Sequence, residues 1–422
     1  MSTIDNLLKN IEIPRMVKCE QLFERPLIRD IDQELINKLY QKKALSNIKK
    51  DQNIAITVGS RGIANLPFII KTLIREIKKI GARPFLVPAM GSHGGATAEG
   101  QKSMLEGMGF SEEYVGVPIK SSMEVVQIGT SANNLPVYMD KFAYNADSTI
   151  IINRIKPHVS FRGDYESGLI KMITIGLGKQ KGADVCHNLG FGMMAENIVD
   201  IARVTLEKSN IIFGIGILEN AYHETCKIET LRTDEIENRE PYLQKEAKRL
   251  APKLYFDKFD VLIIDEIGKD ISGTGFDTNL VGRYNNKFIS GGPDITRVAV
   301  LDLTEKSHGN GNGIGLVDFT TKRFFEKMIF EQTYPNSLTS TVPSSVKIPM
   351  VLKSDKQVIQ ACIKTSNILN REKVKMVRIK NTVEMGEIEI TCNLLDVVRT
   401  NEKLNILSEP YFLKFNGKDN LF

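Results

Sequence analysis

Apolar residues recur along this chain with two different periods. Short β-branched runs at residues 54–58, 84–87, 148–152 and 211–217 predict buried strands. Between them, Leu66, Ile69, Ile70, Leu73 and Ile77 return at helical spacing, and residues 194–206 read as a second helix. A further helix is expected from about Ala96, with Thr97 as its cap or in its first turn. Strands alternating with helices argue for an α/β fold with a largely parallel sheet.

The pattern then restarts. Residues 241–250 look helical, Pro252 breaks the run, and the strong strand 260–264 opens a second α/β unit. Later elements are a strand at 299–302, helices at about 321–332 and 356–368, and strands at 375–379 and 387–391. Two α/β domains are therefore expected, 1–255 and 256–395, with a tail of about 396–422 packing back on the first. The first would carry the cofactor and the chemistry. The second would recognise the substrate across an interdomain cleft suited to a small polar molecule.

Composition narrows the class without naming a reaction. Of 422 residues, 42% are hydrophobic and 25% charged, as in ordinary globular proteins. The 56 basic and 51 acidic residues leave +5, too mild and too mixed to expect nucleic acid as a partner. No apolar run approaches the length of a membrane helix, and residues 1–20 lack the pattern of a signal peptide. Five cysteines without a Cys-x-x-Cys fit a reduced, cytoplasmic protein.

Candidate chemistry concentrates in three of the five histidines. His93 stands in Met-Gly-Ser-His-Gly-Gly, His158 in Lys-Pro-His, and His187 in Asp-Val-Cys-His-Asn. Arg61, His93 and His158 each follow a predicted strand by a few residues. In open α/β sheets, that places them at the end where ligands bind. Arg154 and Lys156 are expected to depress the pKa of His158, which suits a histidine that must be neutral to act as base or ligand. Three histidines also fit a zinc-dependent hydrolase or lyase, although no His-x-x-x-His or Glu-x-x-His spacing is present. A non-catalytic cofactor-binding protein of the same fold is a third reading. Residues 176–182 have the glycines of a phosphate loop in the wrong register.

The ordered set Arg61, His93, Pro157-His158, Ser167-Gly168-Leu169-Ile170-Lys171 and His187 resembles the lactate racemase family, whose members use a nickel-pincer nucleotide. The chain looks like a divergent member. The resemblance implies an isomerase, a racemase or epimerase that inverts C2 of a 2-hydroxy acid by hydride transfer. It implies His93 and His158 as alternating general bases, and His187 as the protein ligand of nickel. Lys171, Arg61, Ser167 and Gly168 would bind the cofactor, a pyridinium-3,5-bisthiocarboxylic acid mononucleotide. Arg61 would also meet the substrate carboxylate. Cofactor-biosynthesis enzymes are the implied protein partners. The chain departs from the lactate pattern at Gly59-Ser60-Arg61-Gly62 and after Gly292-Pro293-Asp294. Those departures shift the expected substrate towards a larger polar or sugar acid. Lys269 and Arg283, beside the loop 272–277, are the expected second-domain contacts with it.

Overall fold

The computed structural model describes residues 2–188 and 190–422. The chain divides into two compact units, residues 25–251 and residues 1–24 with 252–422.

In the unit of residues 25–251, a five-stranded sheet runs in the order Arg83–Pro88, Asn53–Val58, Ser148–Arg154, Ile211–Glu219, Thr225–Arg232. The first four strands are parallel and the last is antiparallel. The expected strands are all present. The strand Thr225–Arg232 and the hairpin Val125–Thr130/Pro136–Asp140 were not anticipated, because neither presents an uninterrupted apolar run. The helices Ile31–Gln41 and Leu66–Lys79 share one core with Ile54, Ile56, Ile150, Ile152, Phe213 and Ile215. On the opposite face, Gly214 and Gly216 leave room for Leu169 and Ile155 and for Ile236 and Leu243 of the helix Thr233–Leu250.

The chain order makes the site. From Asn53–Val58 the chain moves outward to Arg83–Pro88, then crosses back to Ser148–Arg154 on the other side of the first strand. The direction of winding therefore reverses between Asn53–Val58 and Ser148–Arg154. In open α/β sheets, ligands bind at the carboxyl ends of the strands where the winding reverses in this way.

The other unit holds an eight-stranded sheet. Its order is Met350–Leu352, Phe319–Thr321, Asp294–Leu303, Lys258–Ile267, Met376–Ile379, Glu387–Thr391, Met16–Gln21, Leu404–Ile406. The first five strands are parallel and the last three antiparallel. This arrangement corrects the expected division of the chain. Residues 1–24 do not belong to the histidine-bearing domain, because Met16, Val17 and Cys19 are fully buried in the second sheet. Residues 396–422 do not pack back on the first domain either. Leu404–Ile406 pairs with Met16–Gln21, and Tyr411 bridges to Met16. The single helix expected at 321–332 is two, Lys322–Lys327 and Phe330–Thr339. The amide of Ile329 at the break donates to the Gly309 carbonyl instead of continuing the helical ladder.

Among the described residues, no helix is long and apolar enough to cross a membrane.

Candidate active site

Arg61 and Ser60 lie just beyond the strand Asn53–Val58, and His93 lies beyond Arg83–Pro88. The His93 turn depends on glycine. Gly91, Gly94 and Gly95 all have positive φ, and a Cβ on Gly94 would stand 2.6 Å from the backbone of Gly100. The helix that follows, Ala98–Gly107, is capped by Thr97, whose hydroxyl accepts the Gly100 amide at 3.0 Å.

The contacts of His93 define its tautomer. Its Nδ1 lies 2.8 Å from the Met90 carbonyl, which can only accept, so Nδ1 carries the proton. Ser60 Oγ stands 3.1 Å from the same nitrogen. Nε2 is left with a lone pair, which faces Nη2 of Arg61 at 3.4 Å. His93 is thus a neutral imidazole whose basic nitrogen lies beside a guanidinium. Among the described residues no carboxylate pairs with Arg61. Burial and the neighbouring charge of Arg154 both lower the pKa of Arg61 from its usual value.

His158 is held differently. Its own amide donates to Oε2 of the buried Glu166 at 2.7 Å, and its Nδ1 accepts the Ser160 amide at 3.0 Å. Nε2 must then hold the ring proton, and it lies 2.6 Å from Nζ of Lys171. An Nε2–H can donate only to a lone pair, so the geometry calls for an unprotonated amine on Lys171. The electrostatics agree. Burial, Arg61 and Lys156 bring the Lys171 pKa down to about 7. Burial, Lys171 and Lys156 hold His158 well below the ordinary histidine range. Arg154, expected to contribute to that shift, instead forms an ion pair with Glu219, which also accepts the Ala64 amide. The ring of Phe161 lies 4.4 Å from that of His158.

Lys171 ends the short helix Leu169–Lys171, which is tethered from below. Oε2 of the buried Glu240 accepts the Ile170 amide at 2.9 Å. Burial pushes the Glu240 carboxyl up to about 8. Gly168 permits this approach, since a Cβ there would collide with Glu240 Oε1. Ser167 and Lys156 exchange backbone hydrogen bonds, at 2.8 and 3.3 Å, which close the loop that carries His158.

His187 is the last residue of the helix Lys179–His187. Its Nδ1 is buried and, among the described residues, has no hydrogen-bond partner. Burial and the charge of Lys171 depress its pKa to about 4, so the ring stays neutral across physiological pH. Such an orphaned nitrogen is costly unless something binds the ring. Cys186 next to it is a buried thiol, pushed up to about 12, and supplies no thiolate.

Arg61, His93, His158, Lys171 and His187 are therefore brought together around the winding reversal. His93 contacts Arg61, Lys171 contacts His158, Arg61 couples to Lys171, and His187 couples to both Lys171 and His158. The three histidines do not act as one donor set. Among the described residues, no three His, Cys, Asp or Glu side chains converge to hold a metal ion. One unpaired histidine nitrogen fits a metal whose other donors arrive with a cofactor.

Lys269 and Arg283 lie in the other unit, where each is engaged locally. Lys269 Nζ donates to the Gly273 carbonyl at 2.6 Å. Arg283 Nη2 donates to the carbonyls of Ile295 and Thr296 at 2.9 and 3.1 Å and lies 3.5 Å from Asp318. Sequence reasoning missed Ser60, Glu166 and Glu240. Each acts through a partner that only the fold brings near, apart from Glu166, whose spacing from His158 spans a single loop.

Residues 10–198 match the model of the lactate racemase N-terminal domain. The fold is similar to that of the lactate racemase apoprotein from Thermoanaerobacterium thermosaccharolyticum, with a TM-score of 0.53 and 13% identity over 87% of this chain and 94% of that one. It is also similar to a protein from Thermotoga maritima, with a TM-score of 0.51 and 14% identity over 77% of this chain and 84% of that one. No curated protein matches the chain by sequence.

Proposed function

Because the chain belongs to the lactate racemase family through its domain of residues 10–198, we propose that it inverts C2 of a 2-hydroxy acid with a nickel-pincer nucleotide bound in the site just described. The observation that carries this reading is the continuous set His93, Arg61, Lys171, His158. Among the described residues, it combines a neutral histidine, a cation that no carboxylate pairs with, and an amine held unprotonated by its neighbours.

The side chains divide the work. Arg61 offers its fork to the substrate carboxylate, a bidentate geometry that lysine does not reproduce. The lone pair on His93 Nε2 is positioned to take the hydroxyl proton as general base, since Met90 and Ser60 occupy its other nitrogen. His158 presents a proton at Nε2. It becomes the acid or base on the opposite face once Lys171 turns away from it. Lys171, as an unprotonated amine, is suited to hold the cofactor covalently, and His187 is suited to ligate nickel through its ring. Bound there, the cofactor would accept the C2 hydrogen with its electron pair and return it to the other face.

The test is metal content, intact mass and turnover of protein produced alongside the cofactor's biosynthetic enzymes. We expect stoichiometric nickel and loss of that nickel in His187→Ala. We also expect C2 inversion of at least one acid in a panel of polar 2-hydroxy acids. His93→Ala should lower kcat by about 10²- to 10⁴-fold, the usual contribution of a general base. Nickel-loaded protein that exchanges no C2 hydrogen in any of these acids sinks the proposal.

A further inference from the structure

Lys179 is fully buried, has a left-handed backbone (φ 53°), and plays no part in the chemistry above. A lysine with no exposure must have its three ammonium protons accepted or lose its charge. Two protons are accepted, and a carboxylate balances the charge. Nζ donates to the Pro88 carbonyl at 2.5 Å and to Gln101 Oε1 at 3.0 Å, and it pairs with the equally buried Asp140 at 3.2 Å. Asp140 is in turn held by the Ala143 amide at 2.9 Å.

The hub leads to His93. Gln101 is also fully buried, and Lys179 fixes which way its amide points. With Oε1 turned to the ammonium, Nε2 faces the other way. It donates to the Gly91 carbonyl at 2.8 Å and to the His93 carbonyl at 3.2 Å. Pro88, Gly91 and His93 are successive points of the glycine turn that presents the base. A turn with several left-handed residues has little rigidity of its own. Lys179 is also the first residue of the helix that ends at His187, so the same ammonium ties the base-bearing turn to the helix of the candidate nickel ligand.

We propose that Gln101, oriented by the buried Lys179–Asp140 pair, is a positioning residue that holds the His93 turn so that Nδ1–H stays on Met90 and Nε2 stays available. The catalytic consequence rests on His93 being the base of the proposed reaction. The structural consequence does not.

The experiment uses the full chain with Gln101→Leu, which removes both ends of the clamp. A second variant, Gln101→Glu, keeps an acceptor for Lys179 but loses the amide donor, and its added charge faces an ammonium. In ¹⁵N-histidine NMR of the unloaded protein, with His93 identified through His93→Gln, the wild type should show one Nδ1–H form. Both variants should show a mixture of the two tautomers. In loaded protein, kcat should fall about 10- to 100-fold with KM changed less than about threefold, as expected for a displaced catalytic group. Altered His93 tautomers with kcat unchanged support the positioning role and count against His93 as the base. A folded variant that keeps a single Nδ1–H form overturns the proposal. So does a wild-type Gln101 side-chain amide that exchanges with solvent within seconds, a result that needs no variant to fold.

Discussion

His158 and Lys171 satisfy each other, and that fixes what each can do. The ring nitrogen that accepts the Ser160 amide cannot also carry a proton, so the pair must be N–H to lone pair. The Lys171 amine should therefore react with acylating reagents with a midpoint near pH 7, where surface lysines remain protonated. Mass-spectrometric labelling across pH 6–10 tests this, and a Lys171 midpoint near 10 would refute it. At this scale the sequence was informative. Arg61, His93 and His158 stand in turns that follow apolar runs, where residue type speaks for their chemistry, whereas Lys171 drew notice through its place between two histidines and the family resemblance. Their partners were not legible. Glu240 reaches Ile170 and Lys179 reaches Pro88 only after the chain has folded.

The helix Thr233–Leu250 shows how one element steadies several of these residues. Along it, Glu237 offers its carbonyl to Tyr165, Glu240 holds the Ile170 amide, and Lys248 pairs with Glu166, which holds the His158 amide. Pro241 lies inside this helix, so a sequence reading that starts the helix there finds its second half and misses the half that reaches Tyr165. Glu240 gives the element a pH signature. Its folded carboxyl is raised to about 8, so the folded state holds the proton more tightly than the unfolded state. That contribution to stability is complete below about pH 4.5 and is lost as pH rises to 8. A glutamine in its place would not titrate and would keep an acceptor for Ile170. The Tm of Glu240→Gln should therefore gain on that of the wild type by several degrees between pH 5 and 8. Calorimetry showing a constant difference across that range would refute the assignment.

At the scale of the whole molecule, the boundary near residue 252 was legible because a proline follows a helix and a strong strand follows the proline. The return of residues 1–24 to the second sheet was not. Met16–Gln21 is a short run of mixed polarity, and its partners are hundreds of residues away. Deleting residues 2–24 should therefore weaken the unit of residues 252–422 and spare the histidine unit. Limited proteolysis of the truncated protein should degrade fragments from 252–422 first and leave a core within 25–251. Equal resistance of both units would contradict this.

The pairing of Met16–Gln21 between Glu387–Thr391 and Leu404–Ile406 also bears on the order of events at the ribosome. This strand is made long before it can find its neighbours, because both lie hundreds of residues later in the chain. The histidine unit, residues 25–251, is complete long before then and can fold as an insertion within a domain still being translated. Until those two strands are made, the early strand waits with open edges, and Lys18 and Glu20 place charge where a foreign strand would otherwise dock.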